Sequence, residues 1–131
     1  MSEHREILIK AKKREKWVVG NPHYFKPENV LLYKQEKDEL LHIDEKTICQ
    51  YVGLEDKKGN KIYENDVIQI EVDEDIQKWL VYFSKVVGQF RLRRINGAGE
   101  KMVYPANSRG LVIYNLHDKR KKYLQNDQKK K

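Results

Sequence analysis

The stretch QYVGLEDKKGNKIYENDVIQI, residues 50–70, decides how this chain is read. Tyr51 and Val52, with Ile48 and Cys49 ahead of them, favour a strand, and Gly53 marks its end or a bulge. The polar run that follows closes on Gly59-Asn60, a pair that accepts the positive φ of a tight turn. Ile62 and Tyr63 return to apolar character and Glu64-Asn65-Asp66 interrupts. From Val67 the chain alternates, with Ile68, Ile70 and Val72 on one face. This predicts a strand, a turn, a short strand, a corner and a further strand. The Glu64 and Asp66 carboxylates stand where they can cap backbone donors at the corner.

Working outward, Ile7, Ile9 and Ala11 and the later WVVG (residues 17–20) predict an N-terminal β-hairpin joined by the polar KKREK. Residues 20–29, GNPHYFKPEN, concentrate Gly20, Asn21, Pro22 and Pro27, which predicts a loop. VLLYKQEKDELLHI predicts strands over 30–33 and 40–43 about a charged turn, with a helix across it as the rival reading. On the other side, DEDIQ reverses the chain, and Trp79, Val81 and Phe83 then alternate with Lys78, Leu80 and Tyr82. SKVVGQ leads into a strand with Phe90 and Leu92 on one face and Arg91 and Arg93 on the other. NGAG at 96–99 predicts a hairpin, and EKMVYP and GLVIYNL the last strands. After Leu116 no core-forming period remains, which predicts a short helix over 119–125 or a disordered end.

Short strands punctuated every eight to twelve residues or so describe a sandwich or a small barrel. A barrel also removes the unpaired edges that template aggregation. At 131 residues the chain suits one domain. The expected division is a β domain over 1–116 and a basic tail over 117–131. Hydrophobic residues make up only 39%, but 13 aromatics supply large buried areas. No apolar run reaches the roughly 20 residues of a membrane span and the opening residues do not read as a signal segment, so a cytoplasmic location is expected.

The net charge of +7 sits unevenly. Residues 117–131 carry +5 and residues 10–16 carry +4, which leaves residues 17–116 within one charge of neutral. Basicity confined to a tail and a turn is weaker evidence for a polyanion surface than a basic face on the domain. The nucleic-acid candidates are Lys12, Lys13 and Arg14, then Arg91 and Arg93 beside Tyr82 or Trp79, then Lys119 and Arg120. For the Arg91–Arg93 face, solubility is the favoured reading.

His4, His23, His42 and His117 are scattered, with no spacing that fixes a metal, and no catalytic or phosphate-loop motif is present. His42 and Asp44 share one side of a strand, most simply as a surface pair. Cys49 is alone and reads as a buried, inert thiol. Glu71, Asp73, Glu74 and Asp75 read as a solvated turn, lacking the spacing of a calcium loop. Trp17 and Trp79 read as core anchors. No catalytic residue, cofactor or metal is therefore expected.

TICQYVGLEDKKGNKIYENDVIQI resembles the signature of the YopX family of phage and prophage proteins. The residues that carry the resemblance are Gln50, Tyr51, Gly53, Leu54, Asp56, Lys57, Gly59, Ile62, Tyr63, Glu64, Asp66 and Val67, in unbroken order. Val52 stands where the family usually has Thr, and Asn65 where it has Gly. Asn tolerates positive φ, so the turn survives. The resemblance runs unevenly over about residues 5–115. It implies a small, SH3-like, partly open β-barrel that self-associates, with no activity or catalytic residues to carry over. Tyr51, Gly53, Asp56, Gly59, Ile62, Tyr63, Glu64 and Asp66 are accordingly expected to be structural. The expected function is a phage accessory protein of the bacterial cytoplasm that binds itself or a phage or host protein. The alternative is a nucleic-acid-binding protein using residues 10–16, 91–94 and 119–131.

Overall fold

A computed structural model describes residues 7–26 and 29–118 of the chain. Among these residues the regular structure is strand and short 3-10 turns, so the expected mainly β class is the class found. The predicted tail structure, and Lys119 and Arg120 with it, lie outside the described residues.

The N-terminal hairpin consists of β1 (Ile9–Lys13) and β2 (Lys16–Lys26), paired from Ile9↔Gly20 to Lys13↔Lys16. Its two-residue turn, Arg14-Glu15, has φ of 52° and 68°, the doubly positive geometry that matches strand twist. β2 does not stop at Gly20. It runs through the residues expected to form a loop and pairs with β3 (Asn29–Lys34) from Asn21↔Tyr33 onward. Pro22 is tolerated because it lies past the last residue that pairs with β1, so its missing N–H breaks no bond on that side. Gly20 sits at the changeover, where a Cβ would lie 2.6 Å from Leu32 Cδ2 and closer still to the Tyr33 carbonyl.

A 3-10 turn (Gln35–Lys37) leads to β4 (Glu39–Leu41), giving strands on either side of the charged turn as predicted. β5 (Asp44–Glu55) returns beside β1, and β6 (Lys61–Tyr63) pairs with its end. Between Tyr51 and Glu55 the register shifts at Gly53, whose φ of 97° identifies the bulge. The chain then changes sheets through Glu64 and Asn65 into β7 (Asp66–Val72). β8 (Asp75–Ser84), β9 (Gln89–Arg94), β10 (Glu100–Met102), a second 3-10 turn (Ala106–Arg109) and β11 (Gly110–Asn115) complete the fold. Asp73 and Glu74 make the β7–β8 reversal with φ of 50° and 69°, and the acidic run there is exposed.

The result is a six-stranded sheet in the order β4-β3-β2-β1-β5-β6 and a five-stranded sheet in the order β10-β9-β8-β7-β11, with every pair antiparallel. They do not close into a barrel. The main core lies on one face of the smaller sheet, where Ile68, Ile70, Trp79, Val81 and Leu92 pack against Ile62, Val103 and Ala106, with Val52 and Leu54 over them. Val67, Leu80 and Tyr114 form a second cluster with Leu116. Val72 and Phe83, at strand ends, are exposed despite sharing the alternation of buried neighbours. NGAG does connect a hairpin, but across residues 95–99 rather than by a two-residue Asn-Gly turn. Asn96 is used differently: its side chain accepts from Lys78 N at 2.9 Å and donates to the Ile76 carbonyl at 2.8 Å, extending the β8 ladder.

Candidate functional site

Several signature residues build two backbone anchors. In the β5–β6 turn, Asp56 accepts from Lys58 N and Asn60 N at 2.9 Å each, from Asn60 Nδ2 at 3.1 Å and from Val112 N on β11 at 3.0 Å. Burial alone raises its pKa, but these donors outweigh it and hold the carboxyl below its ordinary range. Gly59, at φ 86°, permits the reversal, and Lys57 N donates to the Gly110 carbonyl. The turn is thereby stapled to the other sheet.

The second anchor is the corner between β6 and β7. Asn65 has φ 73°, the conformation that the resemblance assigns to glycine at this position. Asp66, 1% exposed, accepts from Tyr63 N at 2.7 Å and Asn115 Nδ2 at 2.9 Å, and Lys10 Nζ lies 3.6 Å away. Burial raises its pKa against the opposing pull of Lys10 and the two donors. Glu64 N donates to the Gln50 carbonyl, and the Glu64 carboxylate faces Gln50 N at 3.5 Å. Tyr51 and Tyr63 pack with ring centroids 5.7 Å apart, and Ile62 is in the main core. Cys49 is fully buried beside Asn115, and that burial pushes its thiol up to about 11.

Trp17 is not the core anchor expected. It is half-buried, donates from Nε1 to Asp118 Oδ1 at 2.7 Å, and carries the Lys10 and Lys12 ammonium groups 4.4 and 5.3 Å from its ring centroid. Trp79 is buried in the main core as expected. His23 and His42 are exposed, whereas Asn65 Nδ2 lies 3.4 Å from His117 Nε2. His4 is outside the described residues. Among the described residues no group of three or more His, Cys, Asp or Glu is placed to hold a metal.

Two of the signature residues, Gln50 and Leu54, also line an open groove. This groove, of roughly 380 Å³, lies where the end of β5 meets the β8–β9 hairpin and the β10 edge. Val52, Leu54, Phe83, Phe90, Met102 and Tyr104 supply its apolar surface. Met102 is 55% exposed and Tyr104 65%, and the adjoining turn holds Val86 at 95%. Phe83 and Phe90 meet edge to face, with centroids 5.2 Å apart, which stiffens that wall. Sequence reading missed the groove. Its signal was the apolar pair Val86-Val87 inside a turn otherwise made of polar residues.

Among the described residues the basic candidates are divided between the two sheets. Lys12, Lys13 and Arg14 belong to the β1–β2 hairpin of the larger sheet, and Arg91 and Arg93 to β9 of the smaller one. Arg91 lies 3.9 Å from Glu100 and donates to Gln89 at 3.1 Å, while Arg93 stacks 4.8 Å from the Tyr82 ring centroid. Tyr82 donates its hydroxyl to Glu100 at 2.7 Å.

Comparison with known families supplies the remaining fact, since the profile of the YopX protein matches residues 1–122. The chain belongs to the YopX family. The match passes the boundary expected at residue 116 and takes in part of the basic end. No curated protein matches the chain by sequence. In this YopX-family chain the signature supplies two places where the sheets are tied together, and its Gln50 and Leu54 reach the groove.

Proposed function

We propose that this YopX-family protein is a non-catalytic binding module encoded by a phage or prophage, acting in the cytoplasm of the bacterial host and self-associating through the groove beside the β8–β9 hairpin. One observation carries this reading. Phe83, Met102, Tyr104, Val86 and Val87 are large apolar side chains left exposed on and around a preformed groove, and contiguous surfaces of that kind mark association sites. The neighbouring β10 edge is a second incentive, because an unpaired edge is satisfied by another copy. The described helical segments are single 3-10 turns, and none is long and apolar enough to cross a membrane.

Sedimentation velocity over a concentration series tests the proposal. The expected result is an oligomer that Met102→Glu converts to monomer without loss of the β-sheet circular-dichroism spectrum. A wild-type chain that stays strictly monomeric at high concentration overturns it. The nucleic-acid reading draws less support, since Arg91 faces an acid, Arg93 covers the Tyr82 ring and Lys12 covers Trp17.

A further inference from the structure

The turn between β8 and β9 spans Lys85, Val86, Val87 and Gly88. Turns favour Gly, Asn, Asp and Ser, which suit both the reversal and the surrounding water. Here two β-branched apolar residues stand at the tip instead, Val86 95% exposed and Val87 54%. The tip is rigid before it touches anything. Gly88 N donates to the Ser84 carbonyl at 2.8 Å, Val87 N donates to Ser84 Oγ at 3.4 Å, and Gly88 closes the reversal with φ 67°. A turn that keeps these donors to itself and holds two valines in water is pre-organised to bury them in a contact.

The groove has the complementary character. Its lining residues are uncharged, with Val52, Leu54 and Phe90 partly buried against the main core and Met102 standing out on its β10 side. At its Gln50 end stands the Glu64 carboxylate, with Oε1 3.5 Å from Gln50 N. Lys85, next to Val86, is exposed and has no acidic partner among the described residues. A cation followed by two valines thus matches an apolar groove that ends in a carboxylate. The tip does not fill the groove of its own chain, because Phe83, Gly88 and Gln89 at its base form the groove's wall and Val86 is almost wholly in solvent.

We propose that the Val86-Val87 tip of one copy fills the groove of a second copy, whose own tip fills the first groove, closing a two-fold dimer. This rests on the self-association proposed above and names the segment that occupies the groove. Tip and wall belong to one hairpin, so both halves of the contact lie together on the surface, and the rotation that seats one tip seats the other. A groove set against a groove would leave four valines in water. Lys85 enters toward the Glu64 end, where opposite charge fixes the orientation of the tip.

Crosslinking of the full-length chain with a short bis-maleimide tests the exchange. Cys49 is fully buried and does not compete for the reagent. The Val86→Cys protein and the Met102→Cys protein should each give little covalent dimer alone and much more when mixed, because the bridge joins position 86 of one copy to position 102 of the other. In sedimentation velocity the wild-type species should have the mass of a dimer, and Val86→Asp should weaken its association by about tenfold or more, since each dimer loses two tips. Covalent dimer from Met102→Cys alone, with nothing added by mixing, sets groove against groove and overturns the exchange. A Val86→Asp protein that associates as tightly as wild type overturns it too. Both of these results leave self-association standing, whereas a wild-type chain that stays monomeric at every concentration sinks that reading and the exchange together.

Discussion

Asp56 shows how much one side chain can organise. It accepts four hydrogen bonds, three inside its own turn and one from Val112, 56 residues along the chain. Asp56→Asn replaces one acceptor oxygen by a donor that faces other donors, and should cost about 2 kcal/mol at neutral pH in urea denaturation. The sign of the pH effect follows from its depressed pKa. The Asp56 contribution is complete above the unfolded carboxylate value and is lost as pH falls through the lower folded value. The gap between wild type and Asp56→Asn should therefore narrow below about pH 4. A gap that stays constant into acid would mean that the charge plays no part. The aspartate was legible in the sequence as a turn residue, because turn chemistry is local. Its fourth bond was not, because nothing near residue 56 names Val112.

At the scale of the element, β2 shows what local punctuation hides. Gly20 and Pro22 are loop signals by composition, yet β2 continues through them because its partner changes from β1 to β3 at that point. The glycine is needed for close approach and not for an unusual dihedral. Gly20→Ala drives a Cβ into the Tyr33 carbonyl and the Leu32 side chain, and should destabilise by about 2–3 kcal/mol. Gly88→Ala is the informative comparison. There φ is 67° and the space is open, so only the left-handed dihedral is penalised, by about 1 kcal/mol. Equal costs in denaturant titrations would show that β3 yields to the added methyl. Strand existence was otherwise readable from alternation, and Trp79, Val81 and Leu92 are buried where period two places them. Phe83 continues the same period but leaves the covered part of the sheet, which alternation cannot register.

For the whole molecule, the two sheets are joined by the buried corner. Lys10 on β1 reaches Asp66 on β7, Asn115 on β11 bonds Asp66 and the Glu64 carbonyl, and Trp17 on β2 bonds Asp118 just past β11. The sheets should therefore unfold together. The indole resonances of Trp17 and Trp79, one in each sheet, should disappear at the same denaturant concentration, and Asp66→Asn should lower both midpoints in parallel. Separate midpoints would show that the corner does not couple the sheets. The sequence by itself determined the β class, most of the strands and the turns at Gly59 and Asn65, because alternation and left-handed preferences are written residue by residue. Tertiary structure alone decided that the β structure stays open as two sheets, that Trp17 lies half-buried under lysines, and that an apolar groove forms beside β10. Each of those depends on which strands become neighbours and where their cover ends, and that arises from contacts between segments far apart in the chain.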